Sequence, residues 1–236
     1  GLGDVYKRQG KPVVIKPKST NFGLGITILK HNYDETDFKA ALQIAFEHDN
    51  TVLIEKFIPG REFRIFIIND EVVGILHRVP ANVTGDGVLN IGQLIDMKNE
   101  DPLRGKGYRT PLEKIRKGRE EEMFLKQQGM DFNTVPKERE VVYLRENSNI
   151  STGGDSIDFT DDIDDSYKAI AVEAAKALNV KITGLDMMIQ DIHAPATPDN
   201  YAIIEMNFNP AIHIHCYPFK GKNRHLNHKM IKALGF

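Results

Sequence analysis

Glu205 and Asn207 stand two apart in the run NYAIIEMNF, and Asp186 sits in the preceding run, ITGLDMMIQD. If both runs are strands, Glu205 and Asn207 project from one face. A hairpin centred between Pro195 and Ala196 places Asp186 directly opposite Glu205, where cross-strand neighbours lie roughly 4.5–5.5 Å apart. Two carboxylates and an amide oxygen on one face are hard donors, suited to Mg2+ shared with a polyphosphate. Without a cation, two facing carboxylates repel or take up a proton. The same spacing fits a pair of solvent-facing acids on an edge hairpin, which would do no chemistry.

Three further groups carry polar chemistry. Lys16, Lys18, Ser19, Thr20, Asn21, Gly23 and Gly25 leave a short β-branched run and enter a loop. Its glycines let backbone N–H groups approach an anion closely. The helix-opening Gly-Lys-Ser/Thr of a Walker A loop is missing, and a plain glycine-rich hairpin explains the segment equally well. Glu55-Lys56-Phe57-Ile58 breaks at Pro59-Gly60 and is followed by Glu62. Unpaired backbone groups there suit an adenine edge, and Glu62 suits ribose hydroxyls; the competing reading is a strand–turn–strand with surface acids. Arg145 and Asn147 lead into Ser151-Thr152-Gly153-Gly154, with Arg78 a second arginine that could reach the same space. Guanidinium, amide and backbone donors together suit a carboxylate or a transferring phosphoryl group. A surface role fits each arginine as well. His213, His215 and Cys216 lack a second ligand pair for a soft metal, so packing is their expected role. No Gly-x-Ser-x-Gly elbow supports a serine nucleophile.

PVVIK and ITIL read as a hairpin around the glycine-containing loop. Phe38, Leu42, Ala45 and Phe46 share a helical face, with Thr36 as N-cap. TVLIEKF, REFRIFIIN and EVVGILHRV read as strands, the last two joined at Asn69-Asp70. Residues 99–138 are charge-rich and read as a solvated insertion with one exposed helix near Glu120–Gln128. EVVYLRE is a strand, Asp165 to Asn179 a helix, and His225 to Leu234 a closing helix. Hairpins dominate this order, which argues for an α+β fold with largely antiparallel sheets.

Composition sets the limits. The chain has 236 residues, 41% hydrophobic and 27% charged, with a formal net charge of −2, as in ordinary globular proteins. That balance gives no reason to expect nucleic acid or a membrane surface as partner. No apolar run approaches the roughly 20 residues that cross a bilayer. One cysteine, Cys216, cannot form an internal disulfide, which favours a reducing, cytoplasmic setting. The opening GLGDVYKRQ has neither cap nor strand pattern, so residues 1–9 are read as a non-native leader before a domain truncated at its N-terminus.

Taken in order, VVIKPKSTNFGLGI, HRVPANVTGDG, RENSNISTGGDSIDFTD and IIEMNFNPAIHIHCYP resemble the ATP-grasp superfamily. Within it they look like the glutathione synthetase domain of the bacterial bifunctional glutamate–cysteine ligase/glutathione synthetases. Cyanophycin synthetase is a close relative, with similar PAxVxGDG and STGG stretches but a different glycine-rich loop. The resemblance implies two mostly antiparallel sheets with flanking helices and a nucleotide held between them. It implies residues 10–70 as the nucleotide-clamping lobe, with flap 18–25, and 71–236 as the metal and substrate lobe. Lys16, Lys18 and the Ser19–Gly25 flap would meet ATP phosphates, Glu55 to Ile58 the adenine, and Glu62 the ribose. Asp186, Glu205 and Asn207 would hold Mg2+ (or Mn2+). Arg145, Asn147, Arg78 and Ser151–Gly154 would meet the acyl phosphate and a γ-glutamylcysteine substrate, with glycine as acceptor. A linked N-terminal glutamate–cysteine ligase domain is implied as partner.

Overall fold

The computed structural model describes residues 11–19, 25–30 and 33–235. One compact unit ends at Pro59 and a second begins at Gly60. This boundary falls earlier than the one expected after residue 70. The cause is strand pairing: Arg61–Ile68 hydrogen-bonds to later strands.

The first unit holds β1 (Val13–Pro17), β2 (Thr27–Leu29), α1 (Glu35–Phe46) and β3 (Val52–Lys56). Its sheet order is β2-β1-β3, antiparallel throughout. Val13 and Ile15 bury against Ala41 and Ala45 of α1. Strand alternation therefore turns Val14 and Lys16 to the opposite face. The N-cap of α1 is Asp34, not Thr36. Both residue types cap helices, but Asp34 gains a reciprocal partner. Its carboxylate accepts the Asp37 N–H at 3.0 Å, and the Asp37 carboxylate accepts the Asp34 N–H at 3.0 Å. Such an arrangement satisfies two of the helix's open donors at once.

The second unit runs through β4 (Arg61–Ile68), β5 (Glu71–Val79), β6 (Asn82–Thr84), α2 (Ile91–Lys98), β7 (Arg104–Gly105), β8 (Leu112–Glu113), α3 (Arg119–Gln127) and β9 (Val141–Tyr143). A 3-10 turn at Ile150–Thr152 leads into β10 (Asp155–Asp158), α4 (Asp165–Ala177), β11 (Ile182–Ile189), β12 (Tyr201–Asn207), α5 (His213–Cys216) and α6 (Leu226–Ala233). Its main sheet has the order β10-β5-β4-β11-β12, with every pairing antiparallel. Asn69 and Asp70 both take left-handed backbone, φ 47 and 65, as the expected two-residue hairpin requires. Phe63, Ile65, Ile75, Leu185 and Met187 bury one sheet face on Tyr167, Ala171 and Ala175 of α4. The alternate residues Glu62, Arg64, Arg78 and Asp186 therefore occupy the other face. Phe66 on that face is covered by Cys216 and Leu226.

Residues 99–138 are not a solvated excursion. Ile115 and Leu125 join Ala81, Val83, Ile91, Leu94, Ile95, Val142 and Leu144 in a second core, against which Met130 and Phe132 pack. The segment has few apolar side chains, yet these point inward, and the buried charges Arg104 and Glu121 are all paired or hydrogen-bonded. Charge-rich composition therefore concealed a packed layer. Helix α2, opened by an Asn90–Gln93 capping box, also had no counterpart in the sequence reading.

Candidate active site

Strand β11 is buried over most of its length, and Asp186 in its middle is 2% exposed. The ladder places Asp186 opposite Glu205, as the hairpin count predicts. A bulge then follows, and Met187 pairs with Ile203. Ile204 is the residue passed over; the loop-side register, continued without the bulge, would have set it against Asp186. Two residues along β12, the Asn207 amide donates to Glu205 Oε1 at 3.1 Å. All three expected metal donors thus gather on one sheet face.

Two arginines hold Asp186. Arg64 on β4 grips it through Nε and through Nη2 at 3.0 Å, and Arg78 on β5 reaches Oδ2 at 2.9 Å. Burial works to raise the Asp186 pKa. The Arg64 hydrogen bond, the two guanidinium charges and a hydrogen bond with Glu205 outweigh it and hold the carboxyl below its ordinary range. The group stays ionised in a site that would otherwise protonate it. Three guanidinium N–H groups leave at most about one lone-pair direction of a carboxylate for a cation. Glu205 is exposed and makes no ion pair among the described residues. Those residues include no group of three His, Cys, Asp or Glu able to hold a metal; the set here depends on the Asn207 amide oxygen. Hard oxygen donors of this kind fit Mg2+ or Mn2+.

Arg78 also pairs with Glu62, whose other oxygen accepts from Ser148 Oγ. The residue expected to meet ribose is thereby drawn into the same ionic group as Asp186. Sequence reasoning missed Arg64. Its signal was present: in REFRIFII, Arg64 is the charge set between Phe63 and Ile65, in phase with Glu62, where a buried strand tolerates only a paired group.

The expected substrate loop follows β9. Thr152 Oγ1 donates to Asn147 Oδ1 at 3.0 Å and to the Asn149 carbonyl at 2.9 Å. Gly154 N–H also returns to Asn149, at 3.2 Å. Gly153 has φ +94, and a Cβ there would lie 2.8 Å from Ile115 Cα. Ser151 Oγ makes no hydrogen bond among the described residues. Arg145 does not present a free guanidinium to this loop. It is taken up by Glu120 and by Glu121, the latter at 2.6 Å, and so anchors the first turn of α3. Glu121 is 1% exposed, so this pairing is what permits its burial.

In the first unit, Lys16 Nζ and Glu55 Oε2 form an ion pair at 2.7 Å, on the sheet face turned away from α1. Lys18 and Lys56 are exposed and Ile58 is half-buried. Ser19 N–H donates to Asp49 Oδ2 at 2.8 Å, and Gly25 has φ +74. Thr20, Asn21 and Gly23 lie outside the described residues, as does residue 10 with the proposed leader. His215 is fully buried, edge-on to Phe66 at 5.4 Å. Neither of its ring nitrogens has a partner, which agrees with a packing role.

A family model described as the D-ala D-ala ligase C-terminus matches residues 2–93. The glutathione biosynthesis bifunctional protein GshAB of Desulfotalea psychrophila is 62% identical over 235 residues, covering 100% of this chain and 30% of the relative. The GshAB of Clostridium perfringens is 58% identical, covering 94% of this chain and 28% of the relative. The crystal structure of a bifunctional glutathione synthetase from Pasteurella multocida superposes with a TM-score of 0.74 at 46% identity, covering 99% of this chain and 33% of that one. The chain thus spans about a third or less of the length of these relatives. No helix among the described residues is long and apolar enough to cross a membrane. With hairpin-built antiparallel sheets, flanking helices and these matches along its length, the chain has an ATP-grasp fold and is similar to part of the bifunctional glutathione biosynthesis proteins.

Proposed function

We propose that the chain is the ligating domain of a cytoplasmic glutathione synthase, which joins γ-glutamylcysteine to glycine at the expense of ATP. The observation that carries this reading is Asp186 set opposite Glu205, with Asn207 on the same strand face. The names of the relatives point to the product. The γ-phosphoryl group of ATP passes to the cysteinyl carboxylate; a carbon-bound oxygen gains phosphorus as the bond to ADP breaks. The glycine amine then attacks the acyl carbon, a C–N bond forms, and phosphate leaves with its bonding electrons while the amine loses a proton.

Asp186, Glu205 and Asn207 are the residues that would hold Mg2+ or Mn2+, which when bound supplies charge neutralisation to the ATP phosphates. Lys16, once drawn from Glu55, adds cationic charge for the phosphates, with Lys18 and the Ser19–Gly25 flap as further donors. Glu55 to Ile58 would border the adenine. Glu62 would take the ribose, which requires it to exchange its contacts with Arg78 and Ser148. Arg78, released in that exchange, is placed on the same sheet face to stabilise the acyl phosphate. Asn147 and Ser151–Gly154 offer neutral donors to the peptide substrate. Arg145 supports this region indirectly, through α3. No enzyme nucleophile is needed, so orientation and charge stabilisation dominate. The fraction of each bifunctional relative covered by the chain supports a linked glutamate–cysteine ligase region in the parent polypeptide.

The test is ADP release driven by γ-glutamylcysteine plus glycine, set against release driven by aspartate or arginine with a peptide primer. The ligase reading expects the first to exceed the second, whereas the reverse would favour cyanophycin synthetase chemistry. Glu205→Gln should reduce the rate by at least about a hundredfold and weaken Mn2+ binding in parallel. Unchanged Mn2+ affinity in that variant would remove the metal assignment.

A further inference from the structure

We propose that Arg104 is a positioning residue for the Ser151–Gly154 loop, and that the charged segment containing it exists to fix that loop for the acyl-bearing substrate. This rests on the ligase reading above, in which the loop receives the peptide. The Arg104 side chain is 0% exposed. Its Nη1 donates to two carbonyls, Glu113 at 2.9 Å and Gly153 at 3.0 Å, and its Nη2 pairs with Asp155. One guanidinium thus joins β8, the last turn of the loop and the first residue of β10. Burying so large a cation is unfavourable unless its donors are met; both terminal nitrogens are bonded, the loop's own carbonyl among the acceptors, while Nε has no partner among the described residues.

The partner carboxylate is fixed from its other side. Lys98 at the end of α2 reaches Asp155 Oδ2 at 2.7 Å and the Asn82 carbonyl at 2.9 Å. The Phe219 ring lies 5.2 Å from the Lys98 ammonium and 5.6 Å from the Arg104 guanidinium, within cation–π range of both. The opposite wall of the loop is equally constrained. A Cβ on Gly153 would meet Ile115 Cα at 2.8 Å, and the Ile115 N–H and carbonyl are both held by the Asn99 amide at 2.8 Å. Gly153 is therefore wedged between Ile115 and the Arg104 fork. Ser151 Oγ, with no partner among the described residues, is left to a ligand. Lysine at 104 would keep the charge beside Asp155 but lose the planar fork that spans two carbonyls.

The decisive experiment compares Arg104→Lys with the unsubstituted chain in the ADP-release assay. The expected result is a KM for γ-glutamylcysteine raised about tenfold or more, with the KM for ATP within about twofold of its original value. Gly153→Ala, acting on the other wall of the loop, should give the same split and serves if Arg104→Lys fails to fold. A lowered melting midpoint with both KM values unchanged would overturn the proposal, and so would parallel rises in both. Dipeptide-driven ADP release by the unsubstituted chain is measured first. Its absence both in the chain and in the parent polypeptide that carries the linked N-terminal region would defeat the ligase reading itself; where only the parent is active, the variants are compared in the parent.

Discussion

Asp186 and His215 are both buried on the same face of one sheet, and each resolves its charge differently. Asp186 stays ionised because two guanidiniums take up its lone pairs. His215 has no such partner, and burial pushes its pKa down to about 3, so it is neutral in the folded protein. In the unfolded chain it titrates near 6.5. Between those values the unfolded state binds the extra proton, so the stability owed to neutral His215 is complete above about pH 6.5 and is lost as pH falls toward 3. His215→Leu should therefore flatten the decline in unfolding free energy between pH 7 and pH 5 by on the order of 1–2 kcal/mol. Urea titrations at the two pH values check this. An unaltered decline would show that His215 is not buried in neutral form. His77, lowered by burial to about 4, acts in the same direction and would account for the slope that remains. At this scale Asp186, Glu205 and Asn207 were readable, because a strand's alternation fixes which side chains share a face. Arg64 was passed over because a charge's position in a strand does not name its partner.

Among the elements, the structure corrects one helix start and bears out one cross-strand pair beside a bulge that the sequence did not show. Asp34, not Thr36, closes the first turn of α1, because Asp37 returns the hydrogen bond. Replacing Asp34 by Ala should cost about 1 kcal/mol of stability, whereas Thr36→Ala should stay within about 0.5 kcal/mol. Equal losses in chemical denaturation would contradict this assignment. The β11–β12 hairpin shows why counting from a loop centre is fragile. The ladder changes step between Asp186 and Met187, so only one side of the bulge keeps the register that the count gave. Asp186 lies on the favourable side. Bulges occur where a strand must re-aim a side chain, and this one sets Glu205 opposite Asp186 in place of an isoleucine.

Over the whole molecule, the second unit carries three buried clusters among the described residues, and the one containing Leu125 was invisible as a core in the sequence. Leu125 is 0% exposed and packs with residues from α2, β6 and β9. Leu125→Ala should cost about 2–5 kcal/mol, measured as a shift in urea midpoint at constant slope. A loss below about 0.5 kcal/mol would restore the picture of residues 99–138 as a surface excursion.

The sequence by itself determined the strand hairpins, the α+β class, the ATP-grasp resemblance and the convergence of three oxygen donors. The hairpins, the class and the shared strand face follow from periodicity and order along the chain, which are local properties; the resemblance rests on the wording of four motifs. Only the tertiary structure decided that Arg64 and Arg78 hold Asp186, that Arg145 is taken up by Glu120 and Glu121, and that Arg104 joins Gly153 to Asp155. These pairings connect positions far apart in the chain. A charged residue's spacing gives its face but not its counter-ion, because burial and Coulomb attraction act through space on whatever the fold brings near.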